Sequence, residues 1–359
     1  MSTFSTGMSA GLAAVLATCC GKLAAQEPPL PQERVHFLTY ENDSHYRTDR
    51  FYTNGIQFST KDASDRRGPF ARSLTNAVCR WFDCGDNAVL TSQINVGQLM
   101  YTPRDLSRRE PQPLDRPWGG LLYYEHAYAF LSPDQRRLTT LTGQVGVTGR
   151  LSLAEPTQKL VHRIFNRPHP AGWDNQIGGS LAFMGSAERR TARERLSANL
   201  GHDVRLNTAT YWRLAAGNIQ TYAAAGVSVV VGKDLPLVSP PPPGIGNKLR
   251  GSAQARAPGF TSCLAPWVQC TAFGSVEARM VAYNVFLDGR LGQDDPGIKK
   301  RTFVSDLVLG TRFDFPGTRS ATHGPWFIQL KMTRRSPEFR SAIPVPSHRV
   351  AALTIGTEF

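Results

Sequence analysis

The chain has 359 residues, room for one large domain or two smaller ones, and its 41 Lys and Arg against 28 Asp and Glu give a formal charge of +13. Its body holds no apolar run of about 18 residues, which excludes membrane-spanning helices there. The negative mean hydropathy leaves a β-barrel open, because lipid-facing and lumen-facing residues alternate along each strand and average out.

Taken in chain order, Met8 to Ala25 is apolar and rich in small residues, and Leu23-Ala24-Ala25-Gln26 reads as a cleavage region. This divides the chain into a signal peptide, 1–25, and a body, 26–359. Leu16-Ala17-Thr18-Cys19 weakly resembles a lipoprotein acylation site. Cys19 and Cys20 would leave with the signal, and the remaining cysteines form two close pairs, Cys79 with Cys84 and Cys263 with Cys270. Such pairs suit local disulfides in an oxidising compartment; a metal site is the alternative. For an exported chain, an anionic membrane surface is a better partner for the basic excess than nucleic acid.

Strands are predicted over Arg34–Tyr40, Tyr52–Thr60, Leu90–Leu99, Leu121–Phe130 and Arg137–Val147. They continue over Gln176–Phe183, Arg195–Val204, Tyr222–Val231, Phe273–Phe286, Thr302–Phe313, Trp326–Arg334 and Arg349–Phe359. These are twelve, the even number a single-chain outer-membrane barrel requires. Thr210–Gln220 reads as part of a long turn. In Ser275-Val-Glu-Ala-Arg-Met280, Val276, Ala278 and Met280 share one face, while Ser275, Glu277 and Arg279 share the other. Ser239-Pro-Pro-Pro-Pro-Gly reads as a loop beyond the membrane. The chain ends on a strand with a terminal Phe359, which resembles the signal read by the barrel assembly machinery. The predicted fold is therefore an all-β transmembrane antiparallel barrel of about twelve strands in the bacterial outer membrane.

Two segments carry chemistry. Tyr40-Glu-Asn-Asp-Ser-His-Tyr-Arg-Thr-Asp-Arg-Phe-Tyr-Thr-Asn-Gly55 joins two strands but holds far more oxygen ligands and amides than a turn needs. Leu153–Phe165 is the one clear helical segment, with Ser152 as its expected cap and Glu155 at capping-box spacing. Gln158 and His162 share a helix face, with Leu153, Leu160, Val161 and Ile164 supplying apolar contacts. An imidazole suits a general base near neutral pH; the plainer reading is a partly buried histidine bonded to Gln158. No Gly-x-Ser-x-Gly elbow occurs.

Glu41-Asn-Asp43 with Thr48-Asp-x-x-Tyr-Thr-Asn-Gly55 resembles the opening signature of the outer-membrane lipid A 3'-O-deacylase family. So do Gly146-Val-Thr-Gly149-Arg-Leu-Ser152-Leu-Ala154, then Gln158, His162 and Gly172-Trp-Asp-Asn-Gln176. Leu200-Gly-His202-Asp-Val-Arg-Leu206 with Gly217-Asn218, and Ala282-Tyr-Asn284-Val-Phe-Leu287-Asp288-Gly289, are further matches. The resemblance implies a calcium-dependent ester hydrolase that removes the 3'-linked acyl or acyloxyacyl chain of lipid A, with lipopolysaccharide and outer-membrane lipids as its partners and no nucleic acid. Carried over, Asn42 and Asp43 match the family's Asn-Asp pair and His162 its base, while the hydroxyl residue maps onto Thr53 or Ser59. Asp43 and Asp174 are the expected calcium ligands, an oxygen set that suits a hard cation. In one departure, His169 stands where the family's Glu is expected, and Asp174 or Asp49 is left to replace it. In a second, Arg150 stands in place of a Pro. The alternatives are a catalytically impaired barrel or porin of the same fold, and a calcium-dependent outer-membrane phospholipase A with Ser152 as nucleophile.

Overall fold

The computed structural model describes residues 34–359 except 47, 63–68, 83–88, 202–203, 234, 236, 239–267, 317–324 and 359. The signal segment, Cys84, Cys263, the Pro-rich loop and Phe359 thus lie outside the described residues.

The strands are β1 (Arg34–Asn42), β2 (Phe51–Asp62), β3 (Val89–Thr102), β4 (Gly119–Leu131), β5 (Arg137–Thr148), β6 (Leu181–Ala192) and β7 (Ala198–Gly201). After them come β8 (Val204–Gly217), β9 (Gln220–Lys233), β10 (Gln269–Asn284), β11 (Phe303–Phe315), β12 (Trp326–Arg335) and β13 (His348–Glu358). The helices are α1 (Pro69–Phe82), α2 (Ala154–Ile164) and α3 (Val285–Asp288). Each strand of the wall pairs antiparallel with its neighbour; β13 returns to β1, and β6 pairs with β8 to close a ring of twelve.

The expected count holds, but one member changes. Arg195–Val204 is not a wall strand; β7 pairs only with β8 and all its residues are exposed. The wall strand is β8, which absorbs most of the stretch read as a turn. Its inward Ala209, Tyr211, Arg213 and Ala215 are small, aromatic or charged, so a hydropathy count hides its alternation. The sixth strand starts at Leu181, because Trp173–Asn175 forms a 3-10 turn and Gln176 a single bridge to Trp118. Helix α1 lies in a stretch where no helix was expected, and Cys79 on it is a free thiol, not half of a disulfide. Cys270 is disulfide-bonded.

Alternation sorts the wall residues. Val276 and Met280 are exposed on the outside, and Glu277 is buried in the lumen. In β13, Leu353 and Ile355 face out, while Val350 is buried on the inner face with Ala352 and Thr354. The lumen is filled at both ends. Val285 and Phe286 of α3 pack against Tyr52, Tyr101, Leu121 and Tyr123 at one end. Asn284 caps that helix by accepting from the Phe286 amide at 3.0 Å. At the end where β1 and β13 carry the chain termini, Leu235 and Val238 pack among inward residues of β4, β5, β9, β10 and β11. Such a filling disfavours an open porin.

Between the two plugs runs a chain of buried ion pairs. Arg213 meets Glu188 at 2.5 Å and Glu277 at 3.5 Å. Arg279 links Glu277 to Asp306, and Arg335 links Asp306 to Glu338. Breaking a buried pair strands its partner's charge. Arg213→Ala is therefore expected to cost roughly 3–5 kcal/mol, read from urea unfolding of the refolded barrel.

Candidate functional site

The connection between β1 and β2 is built around Asp43. Its carbonyl accepts from the Tyr46 amide at 2.9 Å and the Thr48 hydroxyl at 3.2 Å, and its Oδ2 accepts from the Arg50 amide at 2.9 Å. Asn42 Oδ1 accepts from the Ser44 amide at 2.6 Å, which turns its Nδ2 donor the other way. Phe51 closes the turn with a left-handed φ of 68°, an unusual conformation for an aromatic residue, pinned by burial against Leu287 and Phe339. A bulge between Tyr52 and Asn54 then sets Thr53 apart from the regular β2–β3 ladder.

Strand parity puts this cluster on the outside of the barrel. Leu38, Ile56 and Phe58 are exposed on the outer wall, and Asn42 and Asn54, paired across β1 and β2, share their faces. Gln98 and Met100 share the outward face of β3 with exposed Ile94 and Val96, yet both are buried. The cover is α2 and the turn before it. Gln98 Nε2 donates to the Ser152 carbonyl at 2.6 Å, and Met100 packs with Ala154, Trp118 and Trp173. Gly120 permits the close approach, since a Cβ there would stand 2.2 Å from Ser152 Oγ and 2.4 Å from the Ala154 Cβ. Gly120→Val is expected to lift α2 and abolish activity while the wall still forms, seen as lost turnover with unchanged far-UV circular dichroism.

Helix α2 is amphipathic in an unusual sense. Its buried stripe is Ala154, Gln158 and His162, toward the wall. The expected apolar contacts run the other way: Leu153, Leu160 and Ile164 are exposed, as are Leu151 and Phe165. A helix with its polar stripe on the barrel and its apolar stripe outward suits the hydrocarbon edge of a bilayer. Ser152 does not cap it. The N-cap is Leu153, with φ 57°, and the Ser152 hydroxyl donates to the Gly149 carbonyl at 2.6 Å. Buried beneath the helix start and bonded to backbone, Ser152 is poorly placed as a nucleophile.

His162 is not bonded to Gln158, whose Oε1 accepts from Trp173 Nε1 at 2.8 Å. The His162 Nδ1 lies 2.6 Å from the Pro168 carbonyl, which can only accept, so Nδ1 carries the proton. Nε2 then faces Asp49 Oδ2 at 3.3 Å. The hydrogen bond to Asp49 raises the imidazole's pKa above its ordinary value, against the lowering effect of burial. Burial pushes the Asp43 carboxyl up to about 7, and nearby Asp49 adds to it, against the hydrogen bonds from Arg50 and Thr48. Asp43 Oδ1 is buried with no partner among the described residues, as is Gln158 Nε2.

An unpartnered, buried carboxylate oxygen beside a second carboxylate fits the calcium ion that the sequence motifs imply. Among the described residues, no three His, Cys, Asp or Glu side chains form a metal cluster. Ligands beyond Asp43 and Asp49 would therefore be backbone or amide oxygens or water.

Of the residues named from sequence, Asn42, Asp43, Thr53 and His162 come together at this end of the barrel. Thr53 shares a 2.5 Å hydroxyl contact with Thr102. Ser59 does not join them: it faces the lumen, bonded to Gln57 at 2.9 Å, about 20 Å further along β2. Asp174 is exposed and paired with Arg150 at 3.3 Å. His169 is exposed too, so the carboxylate beside His162 comes from Asp49. Asn54 is one of the amides of the Tyr40–Gly55 segment but was not among the residues assigned a role from sequence. Its signal was the Tyr-Thr-Asn-Gly run read together with strand parity.

Fold and site define an outer-membrane β-barrel with a polar cluster on its lipid-facing wall. The chain matches the family described as Outer membrane protein LpxR over residues 11–359, and it belongs to that family, the one to which the motifs pointed. It is similar in fold to LpxR from Salmonella typhimurium, with a TM-score of 0.69 and 17% identity over 90% of this chain and 100% of that one. The β domain of the Bordetella autotransporter BrkA matches with a TM-score of 0.42 and 8% identity, over 91% of this chain and 99% of that one. No curated protein matches the chain.

Proposed function

We propose that this barrel is a calcium-dependent carboxylic ester hydrolase that removes the 3'-linked acyl or acyloxyacyl chain of lipid A. Family membership supports lipid A as the substrate class. The observation that carries the reading is the position of the His162, Asp43 and Asp49 cluster, on the outer wall beneath a helix whose apolar side faces lipid. A lipid in the same leaflet can bring an ester to that cluster without leaving the membrane.

In this mechanism His162 Nε2 takes a proton from water, and the hydroxide adds to the ester carbonyl. Asp49 stabilises the imidazolium that forms. The Asn42 amide and the Thr53 hydroxyl are the donors assigned to the developing oxyanion. The tetrahedral intermediate collapses by breaking the bond to the sugar oxygen, which recovers the proton from His162 and releases the acyl chain as a carboxylic acid that then gives its proton to water. Asp43, with Asp49, would hold calcium, which supplies carbonyl polarisation when bound.

The test is mass spectrometry of lipid A from cells expressing the chain, with and without a calcium chelator. The expected result is the loss of one 3'-linked acyl or acyloxyacyl mass, suppressed by chelation. Unchanged lipid A from a correctly inserted barrel would overturn the reading.

A further inference from the structure

Helix α1 takes no part in the site. It follows β2 at the end of the barrel that carries the chain termini, and its C-terminal half lies on the outside of the wall. Val78 packs on Phe130, beside Tyr128 and Leu141. Phe82 stacks on Trp212 at 6.2 Å, and Arg189 Nη1 donates to the Phe82 carbonyl at 2.5 Å. Those five wall residues belong to β4, β5, β6 and β8 and occupy outward positions, in step with exposed Tyr124, Val145, Phe183 and Leu214. Phe130 and Arg189 stand one and three residues from the terminal-end limits of β4 and β6. Here α1 crosses four strands of the outward wall close to their terminal-end limits.

Among its described residues, Ser73, Asn76, Ala77, Arg80 and Trp81 are exposed. Trp81 is 86% exposed and Arg80 beside it is exposed. The helix contains Arg72 and Arg80 and no acidic residue. An open tryptophan next to a cation near the strand ends is the composition of an in-plane membrane helix, and positive charge favours anionic headgroups.

We propose that α1 is an interfacial anchor, seating Trp81 at the headgroup–acyl boundary of the leaflet at the terminal end and drawing anionic phospholipid to Arg80. Its occupant is thus a lipid surface distinct from the lipid at the site end.

The full chain and its W81F variant are reconstituted in phosphatidylethanolamine vesicles with or without phosphatidylglycerol. Their difference fluorescence isolates Trp81 from the rest of the six tryptophans. Phospholipid brominated at shallow acyl positions is expected to quench most of that signal and aqueous iodide little of it. Arg80→Glu is expected to raise iodide quenching when phosphatidylglycerol is present. A Trp81 signal quenched by iodide and untouched by bromine would overturn the proposal, and would point to water or a soluble partner. Equal bromine quenching with and without phosphatidylglycerol would overturn the anionic-lipid assignment.

Discussion

His162→Ala is expected to lower kcat/KM for lipid A by roughly 10²–10⁴-fold, the usual contribution of a positioned general base. The substitution should leave the barrel intact, because His162 lies on α2 outside the closed ring of strands. Asp49→Asn should cost less and act differently. The Asp49 hydrogen bond is the chief cause of the raised His162 pKa. The base works only when neutral, so activity in the native protein rises as pH climbs through that raised value. Without the Asp49 charge the pKa falls, and the acid limb of the pH–rate profile should move to lower pH. A profile unmoved in Asp49→Asn would show that Asp49 does not act through the imidazole.

The second large effect concerns Asp43. Its folded pKa of about 7 lies above the ordinary value of 3.8, so the folded state holds the proton more tightly than the unfolded chain. The sign follows: without a cation, stability falls as pH rises from near 4 and levels off above about 7, by about 4 kcal/mol in all. A cation that compensates the buried carboxylate reverses this loss. Calcium is therefore expected to raise the unfolding midpoint of the native barrel at pH 8 and to have little effect at pH 5. Asp43→Asn should lose both the calcium response and the pH-dependent fall, together with deacylation. A calcium-induced rise that persists in Asp43→Asn would remove Asp43 from the metal site.

The four sequence motifs turn out to serve different ends. The Glu41-Asn-Asp43 segment and the helix bearing Gln158 and His162 build the candidate site. The other two serve the wall. Asn218 ties the Phe183 amide and Leu181 carbonyl where β6 meets β8, and Asn284 caps the plug helix. Motif matching alone does not separate the two roles, because a capping amide and a catalytic amide look alike in sequence.

Length, the absence of apolar helices and the run of alternating strands left a barrel open without deciding it against a sandwich, and the count of twelve held although one of the twelve was read on Arg195–Val204 instead of β8. His162 and the Asn42-Asp43 pair were legible through the motifs that resemble the deacylase family and not through composition, since Asn and Asp are ordinary turn residues. Tertiary structure alone decided which wall strand lies between β6 and β9, because inward positions of β8 are occupied by residues whose charge is neutralised by other strands. It alone decided that Asp49 supplies the carboxylate facing His162, across a separation of 113 residues that no local pattern spans. It also put the site on the outer wall, because the direction α2 faces is set by what Gly120 allows to approach and not by the helix's own apolar stripe.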